Sequence, residues 1–321
     1  MKEEITVSCT IHNNPNNISL IDYLCKRFTY QDRSTWMREI KNGRVVINAK
    51  RSVPEQNLQL KDCISYTTLR EEPPVNTNIQ IIYEDEYILV VDKPAPLPVH
   101  AQGVFILNTL IHILRKQTCN EDLCLGHRLD RETSGVVVLG KSRNITSKLM
   151  TNFEEAHVKK QYLAITRGVV DFDTKLVQGW MGKKPGSLVD MRRELIKHQK
   201  DNYKESFTHF TCKEKLAKHS VLVCEPLSGR TNQIRVHLDA IGHSIVGDKL
   251  YGHRDEEYIA YLNHLEKRGD IGHGGNWDHP RHLLHAHQLE MKHPITNKPM
   301  KWEAPIPLDM QSFIHKNKMH N

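Results

Sequence analysis

The stretch Gly126-His127-Arg128-Leu129-Asp130-Arg131-Glu132-Thr133-Ser134-Gly135-Val136-Val137-Val138-Leu139-Gly140-Lys141 decides how the rest of the chain is read. Val136 to Leu139 is a continuous apolar run, the mark of a buried strand. Thr133, Ser134 and Gly135 read as a turn that brings backbone close to a ligand. Asp130 therefore sits just before a buried strand, next to Arg128 and Arg131. A carboxylate so placed is poised for nucleophilic or base chemistry on an anionic substrate. For an isolated Asp beside Arg, a structural ion pair is the commoner account, so the surroundings have to decide.

Downstream, a helix is expected from about Ile145 to Ala156, then a strand through Lys159-Lys160-Gln161-Tyr162-Leu163-Ala164-Ile165. Period-two alternation puts Lys160 and Tyr162 on one face of that strand. A second strand, Val221 to Cys224, leads into Pro226-Leu227-Ser228-Gly229-Arg230-Thr231-Asn232-Gln233-Ile234-Arg235-Val236-His237-Leu238. Ser228-Gly229 makes a turn, and Thr231 is placed to cap a helix that buries Ile234, Leu238 and Ile241 and stops at Gly242. Such a helix N-terminus offers free N–H groups to phosphate, and Arg230 adds charge there. Arg235 falls at the margin of the apolar stripe, where a surface pair with Asp239 would contribute only a few tenths of a kcal/mol. Upstream, Gln80 to Tyr83 and Tyr87 to Val91 read as strands divided by Glu84-Asp85-Glu86. Lys93-Pro94-Ala95-Pro96-Leu97-Pro98-Val99-His100 is rigid and non-helical.

Taken together, these strings carry a resemblance. His127-Arg128-Leu129-Asp130-x-x-Thr133-Ser134-Gly135 closely resembles the catalytic motif of the RluA-type pseudouridine synthases. Lys93-Pro94 to Val99-His100 is similar to the loop opening their catalytic domain, with Ala95-Pro96 where a glycine is usual. Lys160-x-Tyr162 matches their second motif and Gly229-Arg230-Thr231-x-Gln233-Ile234-Arg235-x-His237 their third. Ile245 to Gly252 and Leu284-His285-Ala286 follow in the same order, so the likeness runs from about Val90 to Asp309.

The resemblance implies an α+β fold: a curved, mostly antiparallel central sheet with flanking helices and a cleft across it. It implies Asp130 as nucleophile or base, Arg235 as its ion-pair partner and Tyr162 packed on the target base. Arg128 would fill the gap left by a flipped nucleotide, Lys160 and Arg230 would contact phosphates, and Leu284 would wall the base. Uridine-to-pseudouridine conversion is a net isomerisation, so no cofactor or metal is called for. The reaction needs an extruded base in a site closed to water. Asn232 replaces the histidine most common at its position and is assigned no role. Arg254 to Asp278 is a charged insertion that the family pattern does not explain.

Ahead of this region, Ser19 can cap a helix through Leu20, Leu24 and Phe28, and Asp32 or Ser34 a second through Trp36, Met37 and Ile40. Asn42-Gly43 ends it, and Val45 to Asn48 is a short strand. Residues 17–67 resemble the alpha-L RNA-binding domain of a small-subunit ribosomal protein. Between Lys26 and Arg51, eight basic residues face only Asp32 and Glu39, a charge pattern suited to a polyanion. The expected organisation is therefore an RNA-binding domain at 1–70, a linker at 71–79 and a catalytic domain at 80–321.

A length of 321 residues suits two domains, and an apolar content of 38% supplies a core. No apolar run is long enough to span a bilayer, and the acidic start Met1-Lys2-Glu3-Glu4 is no secretory signal. The seven cysteines are scattered without a Cys-x-x-Cys pair, which suits a reducing compartment and not structural zinc. His282, His285, His287 and His293 belong to a chain with 20 histidines and lack ligand spacing, so no metal is expected. The expectation is a cytoplasmic, monomeric, cofactor-free enzyme acting on ribosomal or transfer RNA, with neither membrane nor DNA as partner. Two other readings stand beside it: a catalytically silent RNA-binding or ribosome-assembly protein, and a hydrolase using Asp130 with His127.

Overall fold

In the computed structural model, which describes residues 3–28, 31–70, 72–155, 157–268 and 277–318, the chain divides into two units, Met1–Glu72 and Pro73–Asn321. The first comprises β1 (Glu3–Thr10), α1 (Leu20–Arg27), α2 (Arg33–Lys41), β2 (Val45–Ile47), β3 (Lys50–Arg51) and β4 (Cys63–Arg70). Ser19 caps α1 by accepting from the Asp22 N–H, and Asp32 caps α2 by accepting from the Thr35 N–H. Gly43, at φ +72°, follows α2 in a left-handed conformation that favours glycine. The sheet order is β1-β4-β2-β3, entirely antiparallel. Leu20, Leu24, Trp36, Ile40, Val45 and Ile64 form its core. Sequence reading did not anticipate β1. Its Ile5, Val7 and Cys9 alternate with exposed Thr6 and Ser8, whose hydroxyls pair with Thr67 and Ser65 of β4.

The second unit begins with β5 (Gln80–Glu84), β6 (Ile88–Lys93), α3 (Leu110–Thr118), β7 (Cys124–Leu125) and β8 (Ser134–Gly140). It continues with α4 (Arg143–Glu154), β9 (Lys159–Arg167), β10 (Thr174–Lys183), β11 (Arg193–Ile196), β12 (Lys204–Lys215) and β13 (His219–Pro226). Then come α5 (Gln233–Ala240), α6 (Asp255–Arg268), β14 (Leu284–Lys292), β15 (Pro299–Glu303) and α7 (Leu308–Lys316). One sheet joins these strands in the order β11-β10-β12-β13-β9-β14-β8-β6-β5, with β15 on β14 and β7 on β8. Its pairings are antiparallel except β14 with β8. This is the mostly antiparallel α+β architecture anticipated from the sequence.

The apolar run that opened the reading is β8, buried along its whole length. Val136 and Val138 face Ile145 and Leu149 of α4, while Val137 and Leu139 face Leu97 and, on α3, Leu110 and Leu114. With both faces covered, the strand has no polar alternation to show. Gly135 does something other than approach a ligand. At φ +113° it lies where β8 meets β14, and an added Cβ would fall 2.2 Å from the Ala286 carbonyl oxygen. Any side chain there would push the two strands apart. Gly135 therefore fixes the point at which the Asp130 loop enters the sheet.

Candidate active site

Asp130 stands in a tight turn ahead of β8, where the Thr133 N–H donates to the Asp130 carbonyl at 3.1 Å. Leu129 on one side and Glu132 and Thr133 on the other are buried. The loop is held by both flanks while the Asp130 carboxylate, 36% exposed, opens into a cleft of about 900 Å³. Lys93, at the end of β6, lies beneath. Its buried ammonium donates to the carbonyls of Pro94, Leu97 and Arg131 at 3.0, 2.8 and 3.2 Å. Burial, then the charge of Arg281, pulls that amine down to about 7.

Helix α5 brings Arg235 to Asp130, but not in the manner its sequence suggested. Every residue from Gln233 to Leu238 is buried, so Arg235 is an interior side chain and not one at a stripe margin. The polar members find partners inside, except His237 Nδ1, which is buried without one. Gln233 donates to the Phe207 carbonyl and Thr208 hydroxyl, and His237 shares a hydrogen bond with Ser206. Asn232, not Thr231, occupies the capping position, at φ +58° and with its side chain turned elsewhere. Its amide oxygen accepts from Arg235 Nη1 at 3.2 Å and its Nδ2 donates to Tyr251. The position left without a role thus helps aim the arginine.

The principal partner of Arg235 is Asp248. Nε and Nη2 of the guanidinium donate to Oδ2 and Oδ1 of this fully buried carboxylate at 2.6 and 2.9 Å. The N–H groups of Leu250 and Tyr251 also donate to Oδ1. Burial alone would raise the Asp248 pKa, but Arg235 overrides it and the carboxyl is pulled down to about 2. Burial disfavours the charged guanidinium too; Asp248, ahead of Asp130, holds it well above its ordinary range. The bidentate pair consumes one edge of the fork and leaves Nη1 aimed at Asp130 Oδ2, 2.8 Å away. Among the described residues, Asp130 Oδ1 has no hydrogen-bond donor, so one oxygen is fixed and the other faces the cleft.

Tyr162 and Lys160 of β9 and Leu284 of β14 line the same cleft, as do Arg128 and Arg230. Burial first, and then the Asp130 charge, pushes the Tyr162 phenol up, so it stays neutral. Lys160 Nζ donates to the Ser228 carbonyl at 3.2 Å, and burial followed by Arg230 lowers its pKa. Arg128 is exposed, and Arg230 Nε donates to the Glu205 carbonyl at 3.1 Å. All seven residues singled out from the sequence therefore border one cavity. His127 also lines it, but is unfit as a base. Its Nε2 accepts from the Val138 N–H at 3.1 Å, its ring stacks on Phe153, and burial, then Lys160, pulls it down to about 3.

Behind the loop runs a buried charge network that sequence reading did not foresee. Glu132 accepts from Lys249 Nζ and the His282 N–H through Oε2, and from Arg131 and the Tyr261 hydroxyl through Oε1. Burial opposes its charge, yet Lys249 and Arg131 hold it well below the usual carboxylate range. Arg281 donates to the Glu132 carbonyl and makes a bidentate pair with Asp309. The histidines near 285 make contacts within the protein, and two of them brace the Asp130 loop. His282 meets Thr133 at 2.7 Å and His285 meets Ser134 at 2.9 Å, while His287 contacts the Ala304 carbonyl and His293 contacts Asp85.

A cleft over a buried sheet, with an arginine-held carboxylate lining it, has the make-up of an enzyme site. Residues 87–240 match the model of the RNA pseudouridylate synthase family. Ribosomal large subunit pseudouridine synthase C of Escherichia coli K12 is 31% identical over 296 residues, 88% of each chain. Ribosomal large subunit pseudouridine synthase D of Neisseria meningitidis serogroup A is 31% identical over 91% of this chain and 76% of its own. The solved structure of human RNA Pseudouridylate Synthase Domain Containing 4 covers 75% of this chain and 95% of its own, with a TM-score of 0.57 at 25% identity. The chain belongs to the RluA-type pseudouridine synthase family and is an RNA pseudouridine synthase, an isomerase.

Proposed function

We propose that this synthase converts specific uridines of large-subunit ribosomal RNA to pseudouridine, with Asp130 as its catalytic carboxylate. The choice of ribosomal over transfer RNA rests on the two relatives, both ribosomal large-subunit enzymes. The observation that carries the role of Asp130 is its 2.8 Å contact with Arg235 at the floor of a cleft shared with Tyr162 and Leu284. The flipped uracil stacks on Tyr162 and abuts Leu284. The bond from C1′ to N1 of the base breaks, the uracil turns, and C1′ bonds to C5, which gives up its proton as N1 takes one. Oδ1 of Asp130 serves either opening step, attack on C1′ or removal of the sugar 2′ proton. Lys160, Arg230 and Arg128 hold the RNA backbone and fill the vacated stack.

The N-terminal unit adds sequence-independent affinity through the basic faces of α1 and α2, and with it a steep salt dependence. A cytoplasmic, monomeric enzyme that discriminates RNA from DNA and uses no cofactor completes the proposal. The hydrolase reading is disfavoured by the fixed, non-basic His127. The test uses ribosomal RNA tritiated at uridine C5. Wild type is expected to release tritium with the chain intact, and Asp130→Asn to bind the RNA but release at least about a thousandfold less, roughly 4 kcal/mol of barrier. Retained turnover in that variant removes Asp130 from the mechanism, and free uracil would mean hydrolysis.

A further inference from the structure

Helix α6 lies within the charged insertion from Arg254 to Asp278 left unexplained by the family pattern, of which residues 269–276 lie outside the described residues, and it touches two walls of the cleft. At its first residue, Asp255 accepts from the Ser187 hydroxyl and the Leu188 N–H at 2.6 and 2.7 Å and pairs with Arg192 Nε at 2.6 Å. Arg192 also donates to the His253 carbonyl. These bonds fix the turn between β10 and β11. One residue of that turn, Met191, lines the cleft, and the Tyr258 hydroxyl donates to its sulfur at 3.2 Å. Three residues further along α6, on the same face, Tyr261 is 1% exposed. Its hydroxyl donates to Glu132 Oε1 at 3.0 Å and accepts from Arg131 Nη2, and Arg131 and Lys249 lie over its ring. Arg131 and Glu132 are the residues immediately after Asp130.

We propose that α6 is a strut that sets the separation between the Met191 wall and the Asp130 loop, so that Asp255 and Tyr258 position an RNA-contacting methionine while Tyr261 positions the catalytic carboxylate. The proposal rests on the reading of the cleft as the uridine site. Leu265 and Ile259 give α6 an ordinary apolar footing. Added to it are directional contacts split between two ends, one charged pair to the β10–β11 turn and one shared phenol to the catalytic loop. Methionine suits the first wall because its flexible, polarizable side chain packs on the face of any base.

The division of labour makes a testable split. With tritiated ribosomal RNA, Asp255→Asn should raise KM about tenfold and leave kcat within about twofold, a loss of one charged contact. Tyr261→Phe keeps the ring, and should lower kcat about tenfold with KM unchanged. Met191→Ala should reproduce the Asp255→Asn phenotype. Variants that lose melting temperature but keep wild-type kcat and KM, or that lose both constants in parallel, would overturn the strut and leave α6 a stabilising cover. RNA affinity measured in the Asp130→Asn background separates the two layers. A tenfold weakening by Asp255→Asn there upholds the Met191 wall even if wild type releases no tritium, whereas unchanged affinity refutes it while wild-type turnover still stands.

Discussion

The floor and the rim of the cleft are built on opposite terms. At the floor, Arg235 is 10% exposed and bound to two carboxylates, a side-chain amide and the face of Tyr251. At the rim, Arg128 is exposed, and Leu227 and Met150 are 60% and 47% exposed. Both regions line one cavity, yet only the first is over-determined. A group that must hold charge at a reacting bond gains from preorganised partners in a water-poor site. A group that meets an RNA of variable shape gains from freedom to adjust. The two carboxylates on Arg235 repeat the contrast at atomic scale. Asp248 spends both oxygens on protein donors, whereas Asp130 spends one and leaves the other facing the cleft.

The sharpest way to break the comparison is to remove the structural carboxylate. Asp248→Asn leaves a buried guanidinium with half its compensation, and should lower the unfolding free energy by about 3–5 kcal/mol. Urea denaturation measures this. Asp130→Asn, with its partly solvated carboxylate, should cost less than about 1 kcal/mol on the same scale. Equal losses would mean that floor and site are one structural unit, and that the reserve of Asp130 for chemistry is illusory.

That asymmetry also marks what the sequence revealed. The strand β8, the caps Ser19 and Asp32, and the glycine after α2 were legible because each follows from residues within a few positions of one another. Asp130, Tyr162 and Arg235 were legible only through a family resemblance, since the bond from Arg235 to Asp130 spans 105 positions. Periodicity misplaced Arg235 because α5 is buried all round, and its polar residues reach partners on β12 and Asp248 that no helical stripe encodes. The alternation of Ile5, Val7 and Cys9 was visible and went unused. The role of Tyr261 was not visible, because nothing local distinguishes it from an ordinary helix tyrosine.

Acid should separate the two regions next. His237, His282 and His285 are almost fully buried, and burial above all pulls each down to about 4. In the unfolded chain they titrate near 6.5. Between these values the unfolded state binds protons that the native state does not, so native stability is complete above about 6.5 and declines as pH falls toward 4. The loss is on the order of 2–3 kcal/mol for each histidine. His282 and His285 grip Thr133 and Ser134, so the Asp130 loop should loosen within this window. Amide exchange from pH 7 to 4.5 should show protection lost there, and also around His127, whose burial pulls it down in the same sense, while the rim at Leu227 exchanges at its own unchanged free energy. Uniform loss would dissolve the distinction.

The smallest effect belongs to the rim. Leu227→Ala removes a side chain already facing water, so stability should move by less than about 0.5 kcal/mol. Its place in the cleft wall nonetheless gives it apolar area to bury against RNA. At roughly 25 cal/mol per Å², covering a few tens of Å² contributes under about 1 kcal/mol, so KM should rise by no more than about fivefold with kcat unchanged. Met150→Ala should behave alike, and the pair should be additive unless both touch the same base. A change in kcat from either substitution would mean that a solvent-facing side chain controls the geometry around Asp130, and the rim would then have to be counted as part of the floor.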